Sequence, residues 1–261
     1  MPRSARNASG ARRVPVSFES LAPQDWLAAS PLADGERLYL VFGSLAKADT
    51  LAAYRQRDGS HVPQPLWKGT PYAGWLEAMP YLVEAAPQGD FLTWCGNQRC
   101  LDWGWLAVSS HSPTLVFDYL RSLTQVKLPD GTAVFLRLWD GHQLLALLDH
   151  HAPGEAPLLP VFSRVWCNGQ ARPLRQAQRL NIEPFPWWQV SAALLERLHR
   201  HDPGPVLDNL MQWLREAHAD LYFALPEANL RCKVARLALG APLDPPALER
   251  LLAHVNKDIT P

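Results

Sequence analysis

Charge of one sign is what the sequence conspicuously lacks: 25 Lys and Arg balance 25 Asp and Glu over 261 residues, leaving a formal net charge of zero. A protein that neutralises phosphates needs a basic excess, and neither the whole chain nor its C-terminal third has one, so no nucleic-acid partner is expected. A neutral surface also limits solubility unless a partner covers it. Long apolar runs are missing too. No stretch reaches the roughly 18 residues of a membrane span and the N-terminus has no apolar signal core, which predicts a cytoplasmic chain with no membrane partner. Cysteine is sparse: Cys95, Cys100, Cys167 and Cys232 are too scattered for a disulfide framework and are expected as reduced, buried thiols.

Motifs for chemistry are equally scarce. Cys95 and Cys100 have no second Cys or His pair at ligand spacing, and His150-His151 and His199-x-His201 read as helix-end residues, so neither metal nor cofactor is expected. Neither Gly96 nor Gly104 fits a Walker A or G-x-G-x-x-G pattern, and there is no G-x-S-x-G. Ser109-Ser110-His111 places hydroxyls beside an imidazole, but Ser112 has the simpler role of capping a helix. The enzymatic alternative is a hydrolase of unrecognised type that uses His111, Asp102 or Asp140 in a cleft of the sheet.

What is present is an ordinary globular composition, 48% apolar and 19% charged, with eleven tryptophans. Residues 1 to 13, with Arg3, Arg6, Arg12 and Arg13 and no acid, read as a disordered basic tail, followed by an irregular lead-in to residue 36. Leu38-Tyr39-Leu40-Val41-Phe42-Gly43 is a buried central strand. A helix from Leu45 to Arg57, a strand at Tyr81–Glu84, a helix from Asp90 to Gln98 and a strand from Gly104 to Ser109 follow. Ser112-Pro113 opens a helix that runs to about Leu123. Leu128-Pro129-Asp130-Gly131-Thr132 reverses the chain as a hairpin whose second arm, Val134 to Trp139, carries apolar bulk on both faces and belongs in the middle of a sheet. Arg137 then lies between two aromatics, with Asp140 as a candidate partner, and if its guanidinium is buried Arg137→Ala costs roughly 1–3 kcal/mol. Gly141 to His150 is a helix and Val161 to Cys167 an edge strand.

From Pro184 the period becomes helical. Val190, Leu194 and Leu198 mark one helix; Leu207 through Leu221 a second; Leu230, Val234 and Leu237 a third ending at Gly240; and Asp244-Pro245-Pro246 caps a fourth with Leu248, Leu251, Leu252 and Val255. The class is therefore α+β: a basic tail and lead-in over 1–36, a sheet-containing lobe over 37–183, and an all-helical lobe over 184–261. Trp67, Trp75, Trp94, Trp103, Trp105, Trp139 and Trp166 read as core. Trp187 and Trp188 at the seam, and Trp213 in the helical region, are the candidate partner-binding aromatics.

Five blocks in order carry a resemblance: Leu66-Trp67-Lys68-Gly69-Thr70-Pro71-Tyr72-Ala73, Pro80-Tyr81-Leu82-Val83, Trp103-Gly104 through Ser109-Ser110, Tyr119-Leu120-Arg121, and Leu136-Arg137-Leu138-Trp139-Asp140. Over about residues 37 to 150 the chain resembles the effector chaperones, or adaptors, of bacterial type VI secretion. It departs from them in continuing Asp140-Gly141-His142 where the family has Asp-Pro-Arg, and in having Leu136 and Leu138 where aromatics flank the Arg. The resemblance implies a non-enzymatic protein that binds one toxic effector in the cytoplasm and helps load it onto the spike protein. It also singles out Thr70, Tyr72, Arg137 and Asp140 as the polar residues of the shared motif.

Overall fold

The apolar run at 38–42 has no polar alternation because both of its faces are covered. In the computed structural model, which describes residues 20–202, 204–238 and 245–256, this run is β1 (Arg37–Gly43). Tyr39 and Val41 enter one apolar cluster while Leu38, Leu40 and Phe42 enter another on the opposite face. β1 pairs on one side with β3 (Pro80–Glu84), which carries β2 (Gln64–Pro65) at the edge, and on the other with β4 (Trp105–Ser109). Every pairing in the six-stranded sheet is antiparallel.

Helices cover both faces. On one side α1 (Pro23–Ala29), α2 (Thr50–Arg57) and α3 (Asp90–Gly96) contribute Trp26, Tyr54, Phe91 and Leu92. On the other, α4 (Pro113–Ser122), α5 (Gly141–His150) and α6 (Ala192–His201) contribute Val116, Tyr119, Leu144 and Leu194. Ser112 caps α4 by accepting from Leu115 N at 3.3 Å, and Ser191 caps α6 by accepting from Leu194 N at 3.0 Å. α2 starts at Thr50 rather than Leu45, because the Asp49 carboxylate accepts from Ala52 N and fixes the start there.

Two sheet expectations are corrected. The Leu-Pro-Asp-Gly turn forms, with Gly131 at φ 88° and Thr132 N donating to Asp130 Oδ1 at 2.9 Å. It joins only β5 (Gln125–Lys127) to β6 (Ala133–Phe135), a ribbon apart from the main sheet. Beyond Phe135 the chain leaves strand geometry for a tight turn in which Asp140 N donates to Arg137 O at 3.0 Å. Burial of Trp139 decides this: its indole packs against the end of β1, where a Cβ on Gly43 would stand 2.2 Å from Cδ1. Trp105 Nε1 also donates to Leu138 O at 2.7 Å and ties the turn to β4. The second correction concerns β7 (Arg164–Cys167), expected at the edge, which is interior between β4 and β8 (Gln170–Pro173). The β7–β8 turn is Asn168-Gly169, both at positive φ (51° and 75°), as a two-residue hairpin requires.

α7 (Gly204–Ala217), α8 (Ala219–Ala224), α9 (Glu227–Ala238) and α10 (Pro245–Asn256) follow. Leu210, Met211, Leu214, Leu230, Val234, Leu251 and Val255 give them an apolar cluster of their own. The stripe expected as one helix through Leu221 is broken at His218, whose ring packs 4.7 Å from that of Trp213. The basic tail, the helix stop at Gly240 and the cap at Asp244 lie outside the described residues. The chain is α+β as its sequence predicts.

Candidate partner-binding site

Residues 66–79 connect β2 to β3 through successive tight turns. Thr70 N donates to Trp67 O at 3.1 Å, Ala73 N to Thr70 O at 3.2 Å and Trp75 N to Tyr72 O at 3.0 Å. Gly69 supplies the one left-handed residue, at φ 77°. The Thr70 hydroxyl donates to Trp67 O at 2.8 Å and accepts from Tyr72 N at 3.1 Å, so it holds the loop closed. Trp67 is buried beneath this loop, and around its ring stand Tyr72, Trp75, Phe135 and Trp139 at 5.6–6.1 Å between centres. Tyr72 packs edge-on to Phe135 at 4.7 Å and reaches Phe185 at 6.2 Å.

The top of this aromatic stack faces solvent. Trp75 is 51% exposed and Leu76 68%, and Leu45 in the neighbouring loop is 60% exposed. The two loops are joined by the Ser44 hydroxyl, which lies 3.2 Å from Leu76 O and 2.8 Å from Met79 O. Three of the six exposed large apolar side chains among the described residues thus share one corner. Neighbouring exposed apolar side chains make this corner the candidate interaction site, whereas scattered single residues need no explanation. From Phe185 the surface continues into a groove of about 540 Å³ between α4 and the 182–185 segment, lined also by Asp118, Arg121, Ser122, Ile182, Glu183 and Pro184.

The residues singled out from sequence have different fates. Tyr72 belongs to the corner, and Thr70 shapes it. Arg137 does not lie buried between aromatics: its side chain is half exposed, and it pairs with Asp140 at 3.2 Å. Asp140 is buried and caps α5, its Oδ1 accepting from His142 N at 3.0 Å and Gln143 N at 3.3 Å. Trp187 is half-buried and donates through Nε1 to Ser122 Oγ at 3.0 Å. Trp188 is core, 4% exposed, with no acceptor for its Nε1 among the described residues. Trp213 is partly buried against the separate cluster of α7–α10. Sequence reasoning put Trp75 in the core and passed over Leu45, Leu76, Phe135 and Phe185. The available signal was that Trp75-Leu76 stands in a loop closed by Gly74 and Pro80 rather than in a periodic segment.

The residues of the enzymatic alternative do not converge. Asp140 and Gly141 sit at the N-terminal end of β4, where a Cβ on Gly141 would stand 2.7 Å from Gly104 O. His111 lies beyond its C-terminal end, about 14 Å of strand away, with Nε2 on Ala177 O at 2.8 Å. The Ser109 hydroxyl is buried and donates to Val161 O at 2.7 Å. No group of three or more His, Cys, Asp or Glu among the described residues is arranged to hold a metal ion. Of the four thiols, Cys95 and Cys167 are buried and burial pushes both well up, whereas Cys100 is half-buried and Cys232 exposed, against the expectation of four buried thiols. His150 and His201, at the ends of α5 and α6, bring their rings to 4.7 Å, a pairing across helices that sequence did not reveal. No helix among the described residues is long and apolar enough to cross a membrane.

Residues 38–157 match the family described as "Domain of unknown function (DUF4123)". Over 153 residues, 58% of this chain, the sequence is 29% identical to "Accessory protein VasW" of Vibrio cholerae serotype O1, of which the match covers 50%. The chain thus spans about half the length of that curated relative. No solved structure matches it.

Proposed function

We propose that this chain, whose residues 38–157 match the DUF4123 family, is an effector adaptor of type VI secretion: it binds one specific effector in the cytoplasm, without catalysing a reaction, and helps load it onto the spike protein. The observation that carries this reading is the solvent-facing corner of Leu45, Trp75 and Leu76 over the Trp67–Tyr72–Phe135 stack. An aromatic that is fixed from below and bare above loses little side-chain entropy on binding, which is the property of an interface anchor. The sheet lobe supplies this platform. Residues from 184 onward contribute to the choice of cargo through Phe185 and the groove beside it, while α7–α10, with a core of their own, present a second surface.

The test is co-expression of the tagged full-length chain with the effector encoded by the neighbouring gene. Wild type is expected to retain the effector through purification, and Trp75→Ala and Leu76→Lys to lose it while keeping the wild-type circular dichroism spectrum. A wild-type chain that retains no effector refutes the adaptor reading.

A further inference from the structure

We infer that the open edge of β6 is a strand-docking site: an extended segment of the cargo adds to the β5–β6 ribbon as a further strand and sets an apolar side chain beside Phe135. This rests on the adaptor reading and adds the mode of binding. The register decides which backbone groups are open, because in an antiparallel ladder residues that bond across the pair alternate with residues whose N–H and C=O point away from it. Leu128 N donates to Thr132 O at 2.8 Å at one end of the ribbon and Leu136 N to Thr124 O at 3.1 Å at the other. With Val126 opposite Val134 between them, these are the bonded pairs, so Lys127, Ala133 and Phe135 direct their backbone groups outward. On the β5 side that edge is taken at Lys127, whose N–H donates to Trp188 O at 2.9 Å and whose C=O accepts from Val190 N at 2.8 Å. On the β6 side, the N–H and C=O of Ala133 and Phe135 have no hydrogen-bond partner among the described residues, and Ala133 is exposed.

Both edges of the six-stranded sheet are closed by comparison. In β2, Leu66 N donates to Pro80 O at 2.9 Å, which makes Pro65 the outward residue; it has no N–H, and its C=O already accepts from Lys68 N at 3.1 Å. In β8, Leu174 N donates to Ser163 O at 2.8 Å, so the outward residues are Ala171 and Pro173. Pro173 has no N–H to offer, and Ala171 O accepts from Arg172 Nη1 at 3.1 Å. Proline at the outward position is a device by which an edge refuses a further strand. β6 lacks it.

Unpaired main chain of this kind is satisfied by another extended main chain, which commits the occupant to a strand rather than a helix or a domain surface. A residue opposite Phe135 shares its face, where Phe135 packs against Tyr72 at 4.7 Å and Trp75 at 5.4 Å. Ala133, two positions back on that face, leaves room for a large side chain opposite it. The fitting segment therefore carries apolar residues two positions apart. A second copy pairing through β6 would join three residues to three, strands of about 10 Å, far short of the roughly 1,200 Å² that a stable dimer buries. A segment of an effector needs no such area here, since the effector adds contacts elsewhere.

The probe is a synthetic heptapeptide in which threonine alternates with valine and leucine, compared with the same peptide N-methylated at every amide, which keeps the side chains and removes the donors. Each is titrated into the 15N-labelled full-length chain. The unmethylated peptide is expected to shift the Ala133 and Phe135 amide peaks and slow their exchange with solvent, the methylated one to leave them unmoved. Ala133→Pro removes an outward N–H without touching a bond to β5 and is expected to abolish the shifts. Slow exchange of these two amides in the free chain, no shift with either peptide, equal shifts with both, or an Ala133→Pro variant that binds as wild type overturns the inference. Shifts of the same amides with protein concentration alone overturn it in favour of a second copy. If the co-expressed effector is retained equally by wild type and Ala133→Pro, strand addition is refuted and the adaptor reading stands; if the peptide binds at β6 and no effector is retained, the adaptor reading fails and the docking edge stands.

Discussion

Replacing Asp140 separates a structural role for the motif carboxylate from a binding role. Its Oδ1 accepts from two backbone N–H groups at the start of α5 and its Oδ2 meets Arg137. Loss of an N-cap acceptor costs about 0.5–2 kcal/mol, and loss of the half-exposed Arg137 pair adds up to about 1 kcal/mol. Asp140→Ala is therefore expected to destabilise by about 0.5–3 kcal/mol. Asp140→Asn keeps an oxygen for the helix and gives up only the charge, so it should cost no more than about 1 kcal/mol. Arg137→Ala should also stay within about 1 kcal/mol, below the range that applies to a buried guanidinium. Because Arg137 and Asp140 share one contact, the double alanine variant should cost little more than Asp140→Ala alone. Urea unfolding followed by tryptophan emission is the assay, since ten of the eleven tryptophans precede residue 189 and report the sheet lobe. Asp140→Ala within about 0.5 kcal/mol of wild type would refute the capping argument, as would Asp140→Asn proving as costly as Asp140→Ala.

Gly43→Ala should destabilise by about 1–3 kcal/mol or more, because the new Cβ would stand 2.2 Å from Trp139 Cδ1 and 2.6 Å from Nε1; a loss under about 0.5 kcal/mol in the same assay would show that the indole moves aside freely. Glu155 governs acid stability at the seam. The Ser191 hydroxyl, then Ala152 N–H and Arg197, hold its carboxyl down from 4.5 to about 2. A carboxyl depressed in the folded state stabilises fully above its unfolded value, and that contribution disappears as pH falls through the folded value. Wild type should therefore lose this part of its stability between about pH 5 and about pH 2, and Glu155→Gln should not. A wild-type-to-variant difference that stays constant across that window, measured by urea midpoints at successive pH values, would refute it.

Much of the fold was legible because local chemistry and tertiary packing agree. Ser112-Pro113 starts α4, Asp140-Gly141 starts α5, and the unbroken apolar run at 38–42 is a strand covered on both faces. Legibility failed where a long-range contact overrode a local pattern. Residues 136–139 alternate well enough for a strand, but the close approach of Trp139 to Gly43 and the bond from Trp105 to Leu138 O turn the chain away from the ribbon. β8 was missed for a different reason. Its Asn168-Gly169 turn is a clear local hairpin signal, but Gln170-Ala171-Arg172-Pro173 has no β-branched or aromatic residue to announce a strand. The corner was hidden because exposure is not a property of residue type: Trp67 and Trp75 sit eight positions apart in one loop, one buried and one bare.

On the proposed adaptor reading, the placement of the five blocks that carry the resemblance explains how one platform could serve different cargoes. Thr70 spends its hydroxyl on the loop backbone, Asp140 spends its carboxylate on α5, and Trp67, Trp105 and Trp139 lie in the core. Block residues thus fix the height and tilt of the aromatic stack. Trp75, Leu76 and Phe135 fall between blocks, Leu45 precedes the first and Phe185 follows the last. On the proposed reading, those positions can change without loosening the platform, because the hydrogen bonds that hold it terminate on backbone atoms and on buried side chains. On that reading, affinity for a given cargo depends on side chains that contribute little to folding, which is why the five blocks carry the resemblance and leave out Leu45, Trp75 and Leu76.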